Sequence, residues 1–378
     1  MSNFQEENVA ETSASDVKCK DCGALLLFAP GTNSLACKYC GAINEIEHKP
    51  ENSVIEEIDY EKFLSASNIP VAEQKEMIVV KCDNCGASTT LKENISSDNC
   101  PFCDTPLIVK GGSTSITIKP KYVLPFQFDK KKAFESYKTW INKLWFAPSD
   151  LKKKSDDIDK LNGMYIPYWT YDAQTRSTYT GSRGDNYTVY VPRTVTDSQG
   201  KTRTEMVAQV QIRWTSVSGL VDNTFDDVLV LASNSLPEKY TYALEPWDMK
   251  KLVSFSEKYL SGFRTEMYQV DLRAGFDKGK TIMNTTITET VRRNIGGDHQ
   301  RVDSVNSVYN NITFKHILLP IWISALKYND KVYRFLINGD TGEVQGERPY
   351  SWIKITLTIL AGLLVIGAGA LFLYSKNR

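Results

Sequence analysis

Lys18-Cys-Lys-Asp-Cys-Gly23 and Ala36-Cys-Lys-Tyr-Cys-Gly41, then Lys81-Cys-Asp-Asn-Cys-Gly86 and Asn99-Cys-Pro-Phe-Cys-Asp104, contain all eight cysteines of the chain. They form four C-x-x-C pairs: Cys19/Cys22, Cys37/Cys40, Cys82/Cys85 and Cys100/Cys103. The second four repeat the first four at a constant offset of 63 residues (19 to 82, 22 to 85, 37 to 100, 40 to 103). Such self-similarity marks an internal duplication. Each copy reads C-x2-C, fourteen residues, C-x2-C. Two residues between thiolates let one tight turn present both sulfurs to one ion. Gly23, Gly41 and Gly86 supply the positive φ that such a knuckle needs, and Asp104, in the last knuckle, also tolerates it. Ala24–Phe28 and Ser88–Leu91 suit short hairpin arms between the pairs. The pattern predicts two small β zinc ribbons, over residues 17–43 and 79–111, with one structural Zn2+ in each.

Other uses of the cysteines fit less well. Disulfides need an oxidising compartment, and Met1–Asp16 is polar with no Lys or Arg, unlike a secretory signal. A redox C-x-x-C needs no further copies. Iron in a rubredoxin-like site is the alternative metal, since Cys100-Pro-Phe-Cys103 suits such a knuckle, and ligand pairing across the two copies is the alternative arrangement. A site with four thiolates is closed, so it builds fold rather than chemistry.

The other end of the chain carries a different signal. Ile355–Tyr374 is twenty residues without a charge, about 30 Å as a helix, the thickness of a bilayer core. Tyr350, Trp352 and Tyr374 flank it as interfacial aromatics, and Lys354 and Lys376 can snorkel. A transmembrane helix over 353–374 with a short tail, 375–378, follows. Reduced zinc thiolates want a cytosol, so the expected topology is single-pass and tail-anchored, with the body cytoplasmic.

Between these ends, residues 44–78 read as an acidic linker with a short helix near Ser53–Phe63, and 1–16 as a disordered N-terminus. Residues 112–349 read as one α+β globular domain. Lys130–Leu144 is a predicted helix. Tyr187–Val195 and Glu205–Trp214 alternate as strands around Asp197–Gly200. Asp271–Asn294 is helical and stops at Gly296-Gly297. Lys331–Ile337 and Glu343–Gln345 flank a hairpin turn at Asn338–Gly342. Leu124-Pro-Phe126, Ile166-Pro-Tyr-Trp169 and Leu319-Pro-Ile-Trp322 each read as the start of a strand, where proline is tolerated.

Catalytic motifs are weak. Gly275-Phe-Asp-Lys-Gly-Lys-Thr281 is one residue short of a phosphate-binding loop and lies inside a helical stretch with no strand before it. His299, in the polar run Gly296–Arg301, reads as a loop histidine, and His316 as a strand histidine. Asp298, His299 and Arg301 would be the enzymatic alternative. Arg183-Gly-Asp185 is an accidental adhesion triplet. Nucleic acid is a poor partner. The chain of 378 residues balances 45 Lys+Arg against 45 Asp+Glu. The first ribbon carries a net charge of about +2 and the second about −1, where phosphate binding needs several positive charges on one face. A mean hydropathy of −0.32 and 42% hydrophobic residues describe a water-facing folded body.

Tyr165-Ile-Pro-Tyr-Trp-Thr-Tyr-Asp172, Ile295-Gly-Gly-Asp-His-Gln-Arg301, Thr313-Phe-Lys-His-Ile-Leu-Leu-Pro320, Asn338-Gly-Asp-Thr-Gly-Glu-Val344 and Gly346-Glu-Arg-Pro-Tyr-Ser351, together with the paired ribbons, resemble the YdjG-type bacterial membrane proteins over nearly the whole chain. Such proteins are often labelled primosomal protein N′ or helicase-like, but this sequence lacks the ATPase domains that label requires. The resemblance implies a non-enzymatic adaptor at the bacterial cell membrane. It would work with an SPFH-domain, flotillin-like zinc-ribbon protein and a phage-shock-protein-A-like, ESCRT-III-type membrane remodeller under envelope stress. It carries over no catalytic residue; only the eight cysteines transfer as site residues. Nucleic-acid binding at the membrane is the alternative function.

Overall fold

The computed structural model describes residues 18–46, 56–66, 74–83, 87–90, 97–100, 102, 105–108, 113–148, 161–196, 200–328 and 331–376. The expected disordered N-terminus lies outside them, as do Cys85, Gly86, Cys103 and Asp104. The architecture is multidomain α+β and rich in sheet.

The first cysteine module is an antiparallel three-stranded sheet of β1 (Leu26–Ala29), β2 (Ser34–Cys37) and β3 (Ile43–Glu45). A short strand β4 (Ile58–Asp59) leads into helix α1 (Tyr60–Ser65), capped by the Asp59 carboxylate on the Lys62 amide at 2.9 Å. The second module comprises β5 (Gln74–Lys81), β6 (Ser88–Thr90), β7 (Ser97–Asn99), β8 (Pro106–Ile108) and β9 (Ser113–Ile118). β5 lies between β6 and β9, and β7 pairs with β8. β5 therefore begins inside the stretch read as linker.

The body begins with β10 (Tyr122–Val123) and α2 (Lys130–Lys143). Three long strands follow in part: β11 (Asn162–Thr196), β12 (Thr202–Leu231) and, further on, β15. Between β12 and β15 come α3 (Glu238–Tyr242), β13 (Val253–Ser254), β14 (Arg264–Thr265) and α4 (Leu272–Ile295). β15 (His299–Tyr328), β16 (Lys331–Asn338), β17 (Val344–Gly346) and α5 (Trp352–Lys376) complete the chain. The alternation expected for Tyr187–Val195 and Glu205–Trp214 is the outer part of β11 and β12, which pair without a break from Ala173↔Phe225 to Thr196↔Thr202.

None of the three proline strings starts a strand as expected. Pro167 and Pro320 lie inside central strands, not at their starts. Each stands where its strand changes outer neighbour. β11 pairs with β14 at Met164 and Tyr165 and with β12 from Tyr168 onward. β15 pairs with β10 at Ile317 and Leu318 and with β16 from Ile321 onward. The missing proline N–H falls at the gap between two partners, so the ladder loses little. The carbonyls are still used: Pro167 accepts from the Ala232 amide at 3.1 Å and Pro320 from the Gly339 amide at 2.8 Å. The third string, Leu124-Pro-Phe126, follows β10 as irregular chain and places Phe126 against Phe263, Trp322 and Tyr165, ring centroids 4.2, 4.9 and 5.1 Å away.

Alternation along the strands sorts the core into two faces. Tyr165, Leu318, Trp322, Phe335 and Ile337 share one face with α2 and with Leu26, Phe28, Leu35, Cys19 and Cys37 of the first module. Met164, Ile166, Tyr168, Ile317, Leu319 and Leu336 share the other with Cys82, Ala87, Cys100 and Phe102 of the second. The duplicated modules thus grip the sheet from opposite sides. Farther along the first face, α4 covers Trp169, Tyr171, Tyr179 and Phe314. The near-miss phosphate loop is part of α4, and packing accounts for the first of its glycines. A side chain at Gly275 would collide with the Tyr171 hydroxyl and the Trp169 ring.

Candidate metal centre

In the first module, Cys19, Cys22, Cys37 and Cys40 converge, their Sγ atoms all within 4.8 Å of one another. Cys19–Cys40 and Cys22–Cys37 are each 3.5 Å apart. Four thiolates tetrahedral about Zn2+ at ~2.3 Å place their sulfurs ~3.8 Å apart, and the cluster fits that spacing. A disulfide needs sulfurs at ~2.05 Å, far closer than these. The four residues are free cysteines.

Local backbone chemistry builds the knuckles. Gly23 and Gly41 adopt φ of +73° and +76°, as the sequence predicts, and no atom lies within 4 Å of where a Cβ would sit. Backbone conformation alone therefore calls for glycine at both positions. Their amides donate to the carbonyls of Cys19 and Cys37 at 2.8 and 3.0 Å. The Cys19 amide donates onward to Ala24 at 2.7 Å and the Cys37 amide to Ala42 at 2.9 Å.

The electrostatics suit a cation. The amides of Cys40 and Tyr39 point at the Cys37 sulfur and hold its thiol down at about 6. At Cys40 the Ala42 amide pulls down, but the thiols of Cys19, Cys22 and Cys37 outweigh it and push the group up to about 12. Four sulfurs this close cannot all ionise unless a metal neutralises them.

The second module repeats the backbone signature where it is described. The Cys82 amide donates to Ala87 and the Cys100 amide to Thr105, both at 2.8 Å. These are the same first-cysteine to fifth-residue bonds as in the first module. Cys82 and Cys100 are both buried.

Neither module is free-standing. Phe28 donates to the Ser261 carbonyl at 3.0 Å, Gly31 to Phe126 at 2.8 Å, and the Ser261 hydroxyl to Leu26 at 2.6 Å. In the second module the Phe102 carbonyl accepts from Arg334 Nε at 2.8 Å. Part of each module's surface is therefore in use within the chain.

The other candidate residues have structural roles. His299 does not sit in a loop: it begins β15, and its Nε2 meets Asn186 Oδ1 at 3.1 Å. Asp298 accepts from the Asn186 amide at 2.7 Å, and the Arg301 guanidinium lies 4.0 Å over Trp214. All three tie β15 to the root of the β11–β12 hairpin. Arg183 and Asp185 pair with each other at 2.9 Å. His316 is a buried strand histidine whose Nδ1 meets the Ile118 carbonyl at 2.8 Å. Beside it a cavity of about 20 Å3, lined by Glu266, Tyr268 and Thr117 among others, has room for one water.

A charged cluster escaped the sequence reading. Glu57, Asp172 and Asp226 bring carboxylates within 4.8 Å of one another, and an ammonium already serves Glu57. Lys315, 2% exposed, pairs with Glu57 at 3.0 Å and Asp227 at 2.7 Å. Burial pushes Asp172 up, and its hydrogen bond with Glu57 adds to that, against the Asp227 amide and Lys315; the carboxyl titrates at about 7. Burial also pushes Glu57 up, but hydrogen bonds from Asp172, Thr313 and Lys315 outweigh it and hold it at about 2.

At the C-terminus, α5 is long and apolar enough to cross a membrane, and none of its apolar window is buried.

Compared with known proteins, the chain is similar to the protein named uncharacterized protein YdjG of Bacillus subtilis (strain 168). The two are 25% identical over 350 residues, covering 89% of this chain and 91% of that protein. No family model matches, and no solved structure matches.

Proposed function

We propose that the chain is a membrane-anchored adaptor, with no catalytic role, whose body holds a protein-binding arm at a fixed place above the bilayer. The carrying observation is the outer β11–β12 hairpin. Cross-strand partners share a face, and the pairs Tyr190↔Ala208, Pro192↔Met206, Thr188↔Val210 and Asn186↔Ile212 line one side. Tyr190, Met206, Val210 and Ile212 there are 67, 61, 64 and 40% exposed. An apolar strip of this size on a projecting element marks a contact surface. Two zinc ribbons, each with one Zn2+ on four cysteines, brace the body: Cys19, Cys22, Cys37 and Cys40 hold one ion, and Cys82, Cys85, Cys100 and Cys103 the other. Helix α5 anchors the assembly in the bacterial cell membrane with the body cytoplasmic. The partners of this reading are an SPFH-domain protein and a phage-shock-protein-A-like membrane remodeller, as the resemblance implies.

The test is affinity isolation of the full chain from detergent-solubilised membranes. Wild type should bring down a protein of either kind, and the double variant Tyr190→Ser/Val210→Ser should lose it. Equal recovery by both chains would remove the arm from the adaptor role.

A further inference from the structure

After α2, the chain turns through Leu144–Ala147. Leu144 and Ala147 are buried in the core, and the Leu144 amide bonds to Ile141 and the Ala147 amide to Leu144, both at 3.2 Å. This loop is braced at both ends, yet its two middle residues are large aromatics turned outward. Trp145 is 72% exposed and Phe146 is also exposed. The same loop grips the base of α5. The Ser351 amide donates to the Phe146 carbonyl at 2.7 Å, and Lys354 Nζ donates to the Ala147 carbonyl at 2.8 Å across 207 residues of sequence. Tyr350, Trp352 and Ile353, at that base, are exposed in turn. Two distant segments therefore build one aromatic rim around the point where the apolar helix leaves the body.

We propose that Leu144–Ala147 is a second membrane contact, with Trp145 and Phe146 seated in the interfacial layer of the leaflet that Trp352 enters. The inference rests on the reading of α5 as membrane-spanning. The occupant follows from position: whatever covers Trp145 must lie against the first turn of α5, where a spanning helix meets head groups. Indole and phenyl rings gain most there, with an apolar body and, for Trp, a polar N–H. In water the same rim is uncompensated apolar surface. Two contacts on one rigid body fix its tilt, so the body would not swing freely on its anchor.

The experiment uses the full chain in vesicles of phosphatidylcholine and phosphatidylglycerol, with acyl chains either plain or brominated near the head group. Emission is compared for wild type, Trp145→Phe and Trp352→Phe; the loss on each substitution is that residue's contribution. Both contributions should be largely quenched in brominated vesicles. Flotation of the vesicles reports anchoring independently. A Trp145 contribution equal in the two vesicles, beside a quenched Trp352, overturns the second contact and leaves the anchor standing. Failure to float, with neither residue quenched, overturns the membrane reading and this inference with it.

Discussion

Asp172 shows how one carboxyl can be set by its surroundings. It shares a crowded site with Glu57, and only one of the two is readily ionised there. Its folded pKa of about 7 lies above the ordinary Asp value. The folded state therefore binds a proton that the unfolded chain has released, and this stabilising contribution is present in acid and lost as pH rises toward and past 7. Glu57, held at about 2, works in the opposite direction: its contribution is present above its ordinary value and fades only as pH falls toward 2. An Asp172→Asn side chain resembles the protonated acid and retains Oδ1 as acceptor for the Asp227 amide, a bond of 2.7 Å in the native chain. The variant should melt above wild type at pH 8, and the gap should narrow as pH falls below 7 and close only near the ordinary Asp value. Thermal melts across that range check it, and a gap that widens in acid would contradict the assignment. No sequence pattern announces this site. Glu57 and Lys315 are 258 residues apart, and only the pairing of β4 with β15 brings them together.

At the scale of elements, the metal knuckles were legible and their docking was not. C-x-x-C spacing and the following glycine are local geometry, so residues a few positions apart state them in full. The packing of Phe28 against Tyr259, ring centroids 5.3 Å apart, depends on a surface made more than two hundred residues later. The consequence is testable. The first module shares its core with Phe126, Tyr165 and Trp322, so loss of its metal should destabilise the body rather than one small ribbon. Cys19→Ser should lower zinc, measured on the purified chain by atomic spectroscopy, from about two ions to about one, and should lower the main melting transition. Gly41→Ala should retain both ions and cost only about 1 kcal/mol, the strain of a Cβ at positive φ. A Cys19→Ser chain that melts like wild type would show that the module is merely attached. The inner part of β15 reads as strand, from His316 and from Leu319-Pro-Ile-Trp322, but its outer part, which begins at His299, does not. Val302, Val305 and Val308 recur every third residue, without the alternation of a regular strand. A register shift between Thr180 and Gly181, whose partners are Ser304 and Val302, skips one residue of β15, so Val302 and Val305 both turn toward α4.

The whole molecule divides into a part that folding explains and a part that it does not. β15 stops pairing with β11 at Gly184↔His299. Beyond that point Asp185–Thr196 and Thr202–Arg213 pair with each other, and no residue of either segment belongs to a hydrophobic core cluster. A lone two-stranded hairpin is marginal in water, and this one also exposes four large apolar side chains. Stability gives no reason to keep it, and the proposed binding role would supply one. The discriminating change removes the arm and keeps its root: Gly184 joined to Trp214 through an Asn-Gly turn, whose two residues favour a tight hairpin. The root contacts of Asp298 to Asn186 and His299 to Asn186 would go, but Arg301 over Trp214 would stay. The deleted chain lies outside the core clusters, so the shortened protein should melt near wild type and float with membranes as before. Partner recovery from solubilised membranes should vanish. A large fall in melting temperature would instead make the arm a folding element, and the apolar strip would then need a different explanation from the adaptor role.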